Sequence, residues 1–264
     1  MKLSDKKGLT LKEMLQEVEN QSPEEIFTEI YKCGHWKLIA RSRESENNYI
    51  PRSGEGSSII STAPLRNQLT RFVKEFHINT FFDAPCGDFH WMQMVDFPSG
   101  MKYIGADIVK LLLESNQFKY PLVDFRYFNI VEDEFPEADV WFCRDCLFHF
   151  PYDMIRKTLQ NFTRSNIRYA MLTGYLGLGS CDMDTPEGRN RAAMLELGEA
   201  AGGLIRNANV KVGGWFPIDL FTEPFNFPQA IAVIPDNAPD QPLRGMFLWD
   251  RETLANLPFV RGDP

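Results

Sequence analysis

The chain has 264 residues, 44% hydrophobic and 13% aromatic, with a net charge of −8. That length suits one large or two small domains, and the hydrophobic and aromatic content supports a sizeable core and argues against wholesale disorder. Basic clusters such as Arg41 to Arg43 are too short for a nucleic-acid footprint, and no apolar run is long enough to span a membrane.

The first sixty residues read as a helical extension. Leu11, Met14, Leu15 and Val18 recur at helical spacing. Ser22-Pro23-Glu24-Glu25 then sets a helix start, with a cap, a proline at the first position and a glutamate three residues after the cap. This helix runs through Ile26, Ile30 and Tyr31 to Gly34. A polar stretch follows from Arg41, ending in Ser53-Gly54-Glu55-Gly56-Ser57-Ser58, a linker or a loop that folds over a ligand.

From Thr62 strands and helices alternate. Leu65, Leu69, Phe72 and Val73 predict an amphipathic helix. Strand 79–83, helix 89–96, strand 102–107, helix 109–118, strands 124–130 and 138–143, helix 151–163 and strand 168–173 follow. That order predicts an α/β fold, a mostly parallel sheet covered on both faces. Ligands of such sheets sit at the carboxyl ends of the strands. Beyond 173 the rhythm breaks into a glycine-rich stretch and a helix opened by Thr185-Pro186-Glu187. An aromatic- and proline-rich segment comes next, then two strands, Ala230–Ile234 and Leu243–Trp249, predicted as a hairpin on the sheet edge.

The chemistry concentrates at strand ends. Asp83-Ala84-Pro85-Cys86-Gly87-Asp88-Phe89 turns sharply after an apolar strand. A dinucleotide pyrophosphate needs three glycines there, but only Gly87 is present, and two carboxylates would repel it. A ligand with ammonium and sulfonium charges, S-adenosylmethionine, suits the acidic turn better. Asp107 closes the next strand, where a carboxylate can accept both ribose hydroxyls; capping the following helix is the plainer role. Asn129 to Val131, with Asn129 and Ile130 the candidates, can reach an adenine edge, or simply form a turn.

Arg144-Asp145-Cys146-Leu147-Phe148-His149 leaves the fourth strand where the reactive end of a cofactor would meet its substrate. Asp145 and His149 are candidate general bases, and Arg144 a candidate anion contact. Equally, His149 can brace the loop and Asp145 can pair with Arg144. Cys143-x-x-Cys146-x-x-His149 lacks the second ligand pair of a zinc site, so no metal is expected. The five cysteines are irregularly spaced and the first ten residues carry no apolar signal. Free thiols in a reducing cytoplasm are expected.

With these residues in view, the chain resembles a class I S-adenosylmethionine-dependent methyltransferase, and within it a bacterial group often found with capsule and surface-polysaccharide genes. The likeness runs from about Phe27 to Trp249. It rests on Trp36, Ser53-Gly54-x-Gly56-Ser57, Asp83-x-Pro85-Cys86-Gly87-Asp88-Phe89-x-Trp91-Met92, Tyr103-Ile104-Gly105-x-Asp107-Ile108, Arg144-Asp145-Cys146-Leu147-Phe148-His149, and Gly214 to Pro228.

The resemblance implies a Rossmann-like, seven-stranded sheet with an antiparallel last strand. It implies a cofactor, S-adenosyl-L-methionine, held by Asp83, Pro85, Gly87, Asp88, Phe89, Asp107, Ile108, Asn129, Ile130 and Arg144, and covered by Trp36, Ser53 and Gly54. Residues 1–60 would form the cover and 61–264 the methyltransferase domain. An insertion at 174–228 would shape the acceptor pocket, with Trp215, Phe225 and Asn226 on the substrate and Trp215, Phe216, Phe225 and Phe227 as candidate walls or core. Two departures stand out: Asn129 replaces a customary acidic residue, and 174–212 is long for the group.

The expected reaction is O- or N-methylation of a small-molecule acceptor, a nucleotide-linked sugar or related surface-polysaccharide precursor. A nicotinamide-dependent oxidoreductase is disfavoured by the missing glycines and the absence of a Tyr-x-x-x-Lys pair. A non-catalytic module that binds S-adenosylmethionine is the remaining alternative. No nucleic-acid or membrane partner is expected, and a homodimer through the N-terminal helices stays open.

Overall fold

The computed structural model describes residues 21–36, 51–175, 207–236 and 244–263. The predicted helices at 11–18 and after Thr185, and the turn between the last two strands, lie outside the described residues. So does Cys181.

Helix α1, Pro23–Cys33, starts as its sequence demands: the Ser22 side chain accepts from the Glu25 backbone N–H, and Glu25 reaches back to Ser22. Gly34 closes it in the left-handed conformation, φ 65°. Helix α2, Ala63–Glu75, buries Leu65, Leu69, Phe72 and Val73. Seven strands follow: β1 Thr80–Asp83, β2 Lys102–Asp107, β3 Asp124–Tyr127, β4 Val140–Cys143, β5 Tyr169–Tyr175, β6 Ala232–Pro235 and β7 Arg244–Asp250. Helices α3, Lys110–Lys119, and α4, Tyr152–Thr163, lie between strands, and the short α5, Arg251–Ala255, and α6, Pro258–Arg261, come last.

The sheet order is β3-β2-β1-β4-β5-β7-β6. Strands β1 to β5 pair in parallel, while β7 runs antiparallel to both β5 and β6. The expected seven-stranded sheet with its reversed edge hairpin is therefore present. The order of connection reverses at β1, which pairs with both β2 and β4. A crevice opens at the carboxyl ends of two strands whose crossovers leave in opposite directions.

Strand alternation distributes the core over both faces. Phe82, Trp141 and Leu172 face one layer with α1, α3 and α4. Phe81, Val140, Phe142 and Met171 face the other, against α2.

Two predicted elements differ. The helix at 89–96 is reduced to a single turn, Met92–Met94. Phe89 takes φ 55°, which no helix interior accepts, and inserts its ring among Tyr103, Tyr120 and Phe125 at 5.0–5.2 Å between centroids. Strand 124–130 ends at Tyr127, because Asn129 folds the chain: its side chain accepts from the Val131 N–H, and its own N–H donates to Asp133.

Candidate functional site

A cavity of about 640 Å³ occupies the crevice at β1 and β4. Its floor is the β1 turn. Asp83 is buried at the end of β1, and the Tyr103 hydroxyl donates a hydrogen bond to Asp83 Oδ2 at 2.6 Å. Burial pushes the Asp83 carboxyl up to about 8 against the pull of that hydrogen bond. Asp107, at the end of β2, is buried as well and raised to about 6 by desolvation. It accepts from the Val109 N–H at 2.9 Å and the Gly87 N–H at 3.1 Å, which tie the two strand ends together.

Gly87 is required by conformation and by space. Its φ is 58°, and a Cβ there would lie 2.7 Å from Ser53 Oγ. That hydroxyl meets Tyr31 at 3.0 Å and accepts from the Asp88 N–H at 3.0 Å. Asp88 in turn accepts from the backbone N–H groups of Arg52 and Ser53, at 2.7 and 3.3 Å. Buried Asn116 of α3 donates to the Gly87 carbonyl. The turn is thus braced from the N-terminal loop on one side and α3 on the other.

Helix α1 lies over this floor. Glu24 fastens it to Lys110 and to the Tyr127 hydroxyl, each at 2.8 Å. Phe27, Tyr31, His35 and Trp36 line the cavity with Ser53 and Gly54. The Trp36 ring lies 5.0 Å from Tyr31 and 5.3 Å from His149.

The far wall comes from the loop after β4. His149 Nδ1 lies 2.6 Å from the Gly214 carbonyl oxygen. Since a carbonyl only accepts, Nδ1 carries the proton and Nε2 keeps its lone pair. Burial lowers the His149 pKa, outweighing the Gly214 carbonyl and Asp145, so the ring is neutral near pH 7.

Asp145, with φ 53° and partly exposed, joins a cluster with the buried Arg144, Arg244 and Asp236. Arg144 forks onto Asp236 at 2.8 and 3.0 Å, reaches Asp145 at 3.1 Å and donates to the Gly56 carbonyl at 2.7 Å. Arg244 of β7 meets both Asp145 oxygens at 3.1 Å. Burial raises the Asp145 pKa, but the two guanidiniums outweigh it and hold the carboxyl below its usual range. Burial also works against the Arg244 charge, and Asp145 and Asp236 prevail, raising its pKa.

The structure brings most of the sequence-predicted residues to one cavity. Trp36, Ser53, Gly54, Asp83, Pro85, Gly87, Asp88, Asp107, Ile108, Asn129, Ile130, Arg144, Asp145, His149 and Trp215 all line it. Three others lie elsewhere. Phe89 is in the core described above. Phe225 is fully buried against Tyr152 and Phe259, and Asn226 is exposed with φ 48°. Phe216 and Phe227 are also core residues, packed on Tyr152 and Trp249. Of that aromatic segment, Trp215 alone reaches the cavity, 55% exposed at its edge. Arg144 lines the cavity, yet its donors are taken by Asp236, Asp145 and Gly56.

Sequence reading missed Tyr31, His35, Tyr175 and Arg244. Arg244 had no local signal, since it opens a strand that reaches the site only through antiparallel pairing with β5. His35 sits beside the chosen Trp36 and carried no pattern of its own. Among the described residues its Nε2 is one of the buried polar atoms without a hydrogen-bond partner. Such an atom typically costs about 1–3 kcal/mol. Cys33, Cys86, Cys143 and Cys146 are free thiols, and no helix of the described residues is long and apolar enough to cross a membrane.

No protein-family model matches the chain, and no curated protein sequence does. Solved structures do. The magnesium protoporphyrin IX methyltransferase from Synechocystis PCC 6803 with bound SAH is similar over 86% of this chain and 98% of its own, at 11% identity and a TM-score of 0.52. Human N-acetylserotonin methyltransferase in complex with SAM covers 90% of this chain and 64% of its own, at 14% identity and a TM-score of 0.46. At such low identity the first of these likenesses speaks to architecture alone: the chain has the seven-stranded, Rossmann-like fold of the methyltransferases.

Proposed function

We propose that the protein is an S-adenosylmethionine-dependent methyltransferase acting on a hydroxyl or amine of a small acceptor. The observation that carries this reading is the pairing, across one cavity, of a desolvated acidic floor with a neutral histidine whose Nε2 is free to take a proton. The cavity volume lies in the usual range for cofactor and substrate sites. The floor offers a turn braced at Gly87 and two carboxyls raised by burial, an environment that a cationic ligand relieves and a pyrophosphate worsens.

S-adenosylmethionine, when bound, supplies an electrophilic methyl group on a sulfonium that leaves as a neutral thioether. In this reading Asp107 holds ribose hydroxyls, and Asp83 and the Gly87 turn hold the methionine end. Asn129 and Ile130 border the base. Trp36, Ser53 and Gly54 cover the cofactor, which makes residues 1–60 a cover and 61–264 the catalytic domain, with 174–228 shaping the acceptor pocket. His149 Nε2 accepts the proton of an acceptor hydroxyl as its oxygen attacks. Asp145 is held anionic by two arginines and is the poorer base; its part is to fix the loop that carries His149. Aromatic walls exclude water and align the acceptor.

The acceptor proposed is the sugar of a nucleotide-linked surface-polysaccharide precursor, on the resemblance of the motifs to that bacterial group. The free thiols suit a reducing, cytoplasmic setting. Incubation with S-adenosylmethionine and a panel of nucleotide-linked sugars, read by mass spectrometry, tests it. A product heavier by one CH₂, formed together with S-adenosylhomocysteine, is expected. Methylation of other acceptor classes alone would overturn the sugar assignment.

A further inference from the structure

Helix α1 and the residues after it bring Phe27, Tyr31, His35 and Trp36 to the cavity. Tyr31 and Trp36 meet edge to face at 5.0 Å between ring centroids, and Phe27 lies 6.4 Å from Trp36. Phe27 and Tyr31 are buried, while Trp36 stays partly exposed. Burial lowers the His35 pKa, so that ring is neutral near pH 7. This side of the cavity is therefore aromatic and uncharged. The opposite side holds Asp83 and Asp107. Among the described residues that line the cavity, the lysine and arginine side chains are Arg144 and Arg244, and both are held by Asp145 and Asp236.

Such surroundings favour a positive charge. An aromatic face attracts a cation within about 6 Å of its centroid, and tryptophan does so most strongly. Methyl transfer to a hydroxyl moves one positive charge from place to place. It starts on the sulfonium. The methyl carbon bonds to the acceptor oxygen, the carbon–sulfur electron pair stays with sulfur as a neutral thioether, and the hydroxyl proton passes to His149 Nε2, leaving an imidazolium. Trp36 borders both places. It covers the cofactor in the proposed reading, and its ring lies 5.3 Å from that of His149 at an interplanar angle of 33°.

We propose that Trp36 is a cation-binding residue that favours the charged cofactor over its neutral product and then supports the imidazolium of His149. This deepens the methyl-transfer reading and rests on it. Loss of the sulfonium charge on transfer removes this attraction, which helps the product leave. Asp145, with Arg144 and Arg244 attached, His35 and the Gly214 carbonyl also face His149. None of them changes when the ring at position 36 keeps its shape and loses only its electron density.

The test places ring-fluorinated tryptophans at position 36 of the full chain, since successive fluorines weaken the negative face and leave the shape almost unchanged. S-adenosylmethionine and S-adenosylhomocysteine are titrated calorimetrically against each form, and the His149 pKa is read by NMR of its imidazole in the free protein. Affinity for S-adenosylmethionine is expected to fall with each added fluorine while that for S-adenosylhomocysteine holds, and the His149 pKa to fall in step. Trp36→Leu should lower the ratio of the two affinities by roughly 2–30-fold, and Trp36→Tyr should restore part of it. A residue that served packing alone would leave the fluorinated series level. If the ratio is equal in all fluorinated forms, or the His149 pKa does not move, the proposal is overturned alone. If neither sulfur nucleoside binds the wild-type protein, the methyl-transfer reading falls and takes the proposal with it.

Discussion

Asp83 and Asp107 lose their hydration at the ends of β1 and β2, and burial lifts them to about 8 and about 6. A carboxyl with a higher pKa folded than unfolded binds more protons in the native state between the two values. Its contribution is complete below the unfolded value and is lost as pH rises through the folded one. For Asp83 that interval runs from 3.8 to about 8. The thermal midpoint of the free protein is expected to fall as pH rises through it, and Asp83→Asn to flatten the slope; equal slopes would show that Asp83 is not the source. His149 gives a kinetic counterpart. Its pKa is lowered from 6.5, so the pH–rate profile for a hydroxyl acceptor should lose activity only below that value. His149→Gln should reduce kcat by roughly 10²–10⁴-fold with cofactor affinity intact; an unchanged kcat would remove it as the base. At this scale Asp83, Gly87 and Asp107 were legible because a strand end, a turn and an acidic residue fall together in the chain. Arg244 and His35 were not, since nothing local distinguishes a cavity-lining arginine or histidine from a surface one.

The loop after β4 owes its shape to strands distant in sequence. Arg144 and Asp145 leave β4, Asp236 follows β6 and Arg244 opens β7, and buried Arg144, Asp236 and Arg244 meet the partly exposed Asp145. Removing one member strands the opposite charge in a desolvated site. Asp236→Ala is therefore expected to cost about 3–5 kcal/mol in urea denaturation; a loss below about 1 kcal/mol would show the cluster to be slack. The pairing of Asp145 with Arg144 was foreseeable from adjacency, whereas the second arginine and second aspartate appear only through strand pairing. The predicted helix at 89–96 failed for a related reason. Its apolar spacing fits a helix, but Phe89 and Trp91 are drawn into the core by the sheet and by the Asp88 turn, and tertiary burial overrides the local pattern. The aromatic segment at 215–227 divides likewise: Trp215 reaches the cavity, while Phe216, Phe225 and Phe227 fill the core and Phe221 packs at its edge.

The alternation of strands and helices from 79 to 173 carried the architecture of the whole molecule, because parallel strands need crossovers and bury both faces. The cavity then follows from topology, at the point where the order of connection reverses. Helix α1 and the 51–57 loop close that point from outside the sheet, so the floor of the cavity and the wall above it come from different parts of the chain's first half. The far side of the cavity does not follow from the sheet alone, because it is assembled from the β4 loop, β7, α1 and residues 213–215. The central claim concerns the floor. Isothermal titration of the full chain with S-adenosylmethionine, S-adenosylhomocysteine and NAD tests it most directly. Saturable binding of the first two, lost in Asp107→Ala and absent for NAD, is the expected result; binding of NAD without either sulfur nucleoside would contradict the account.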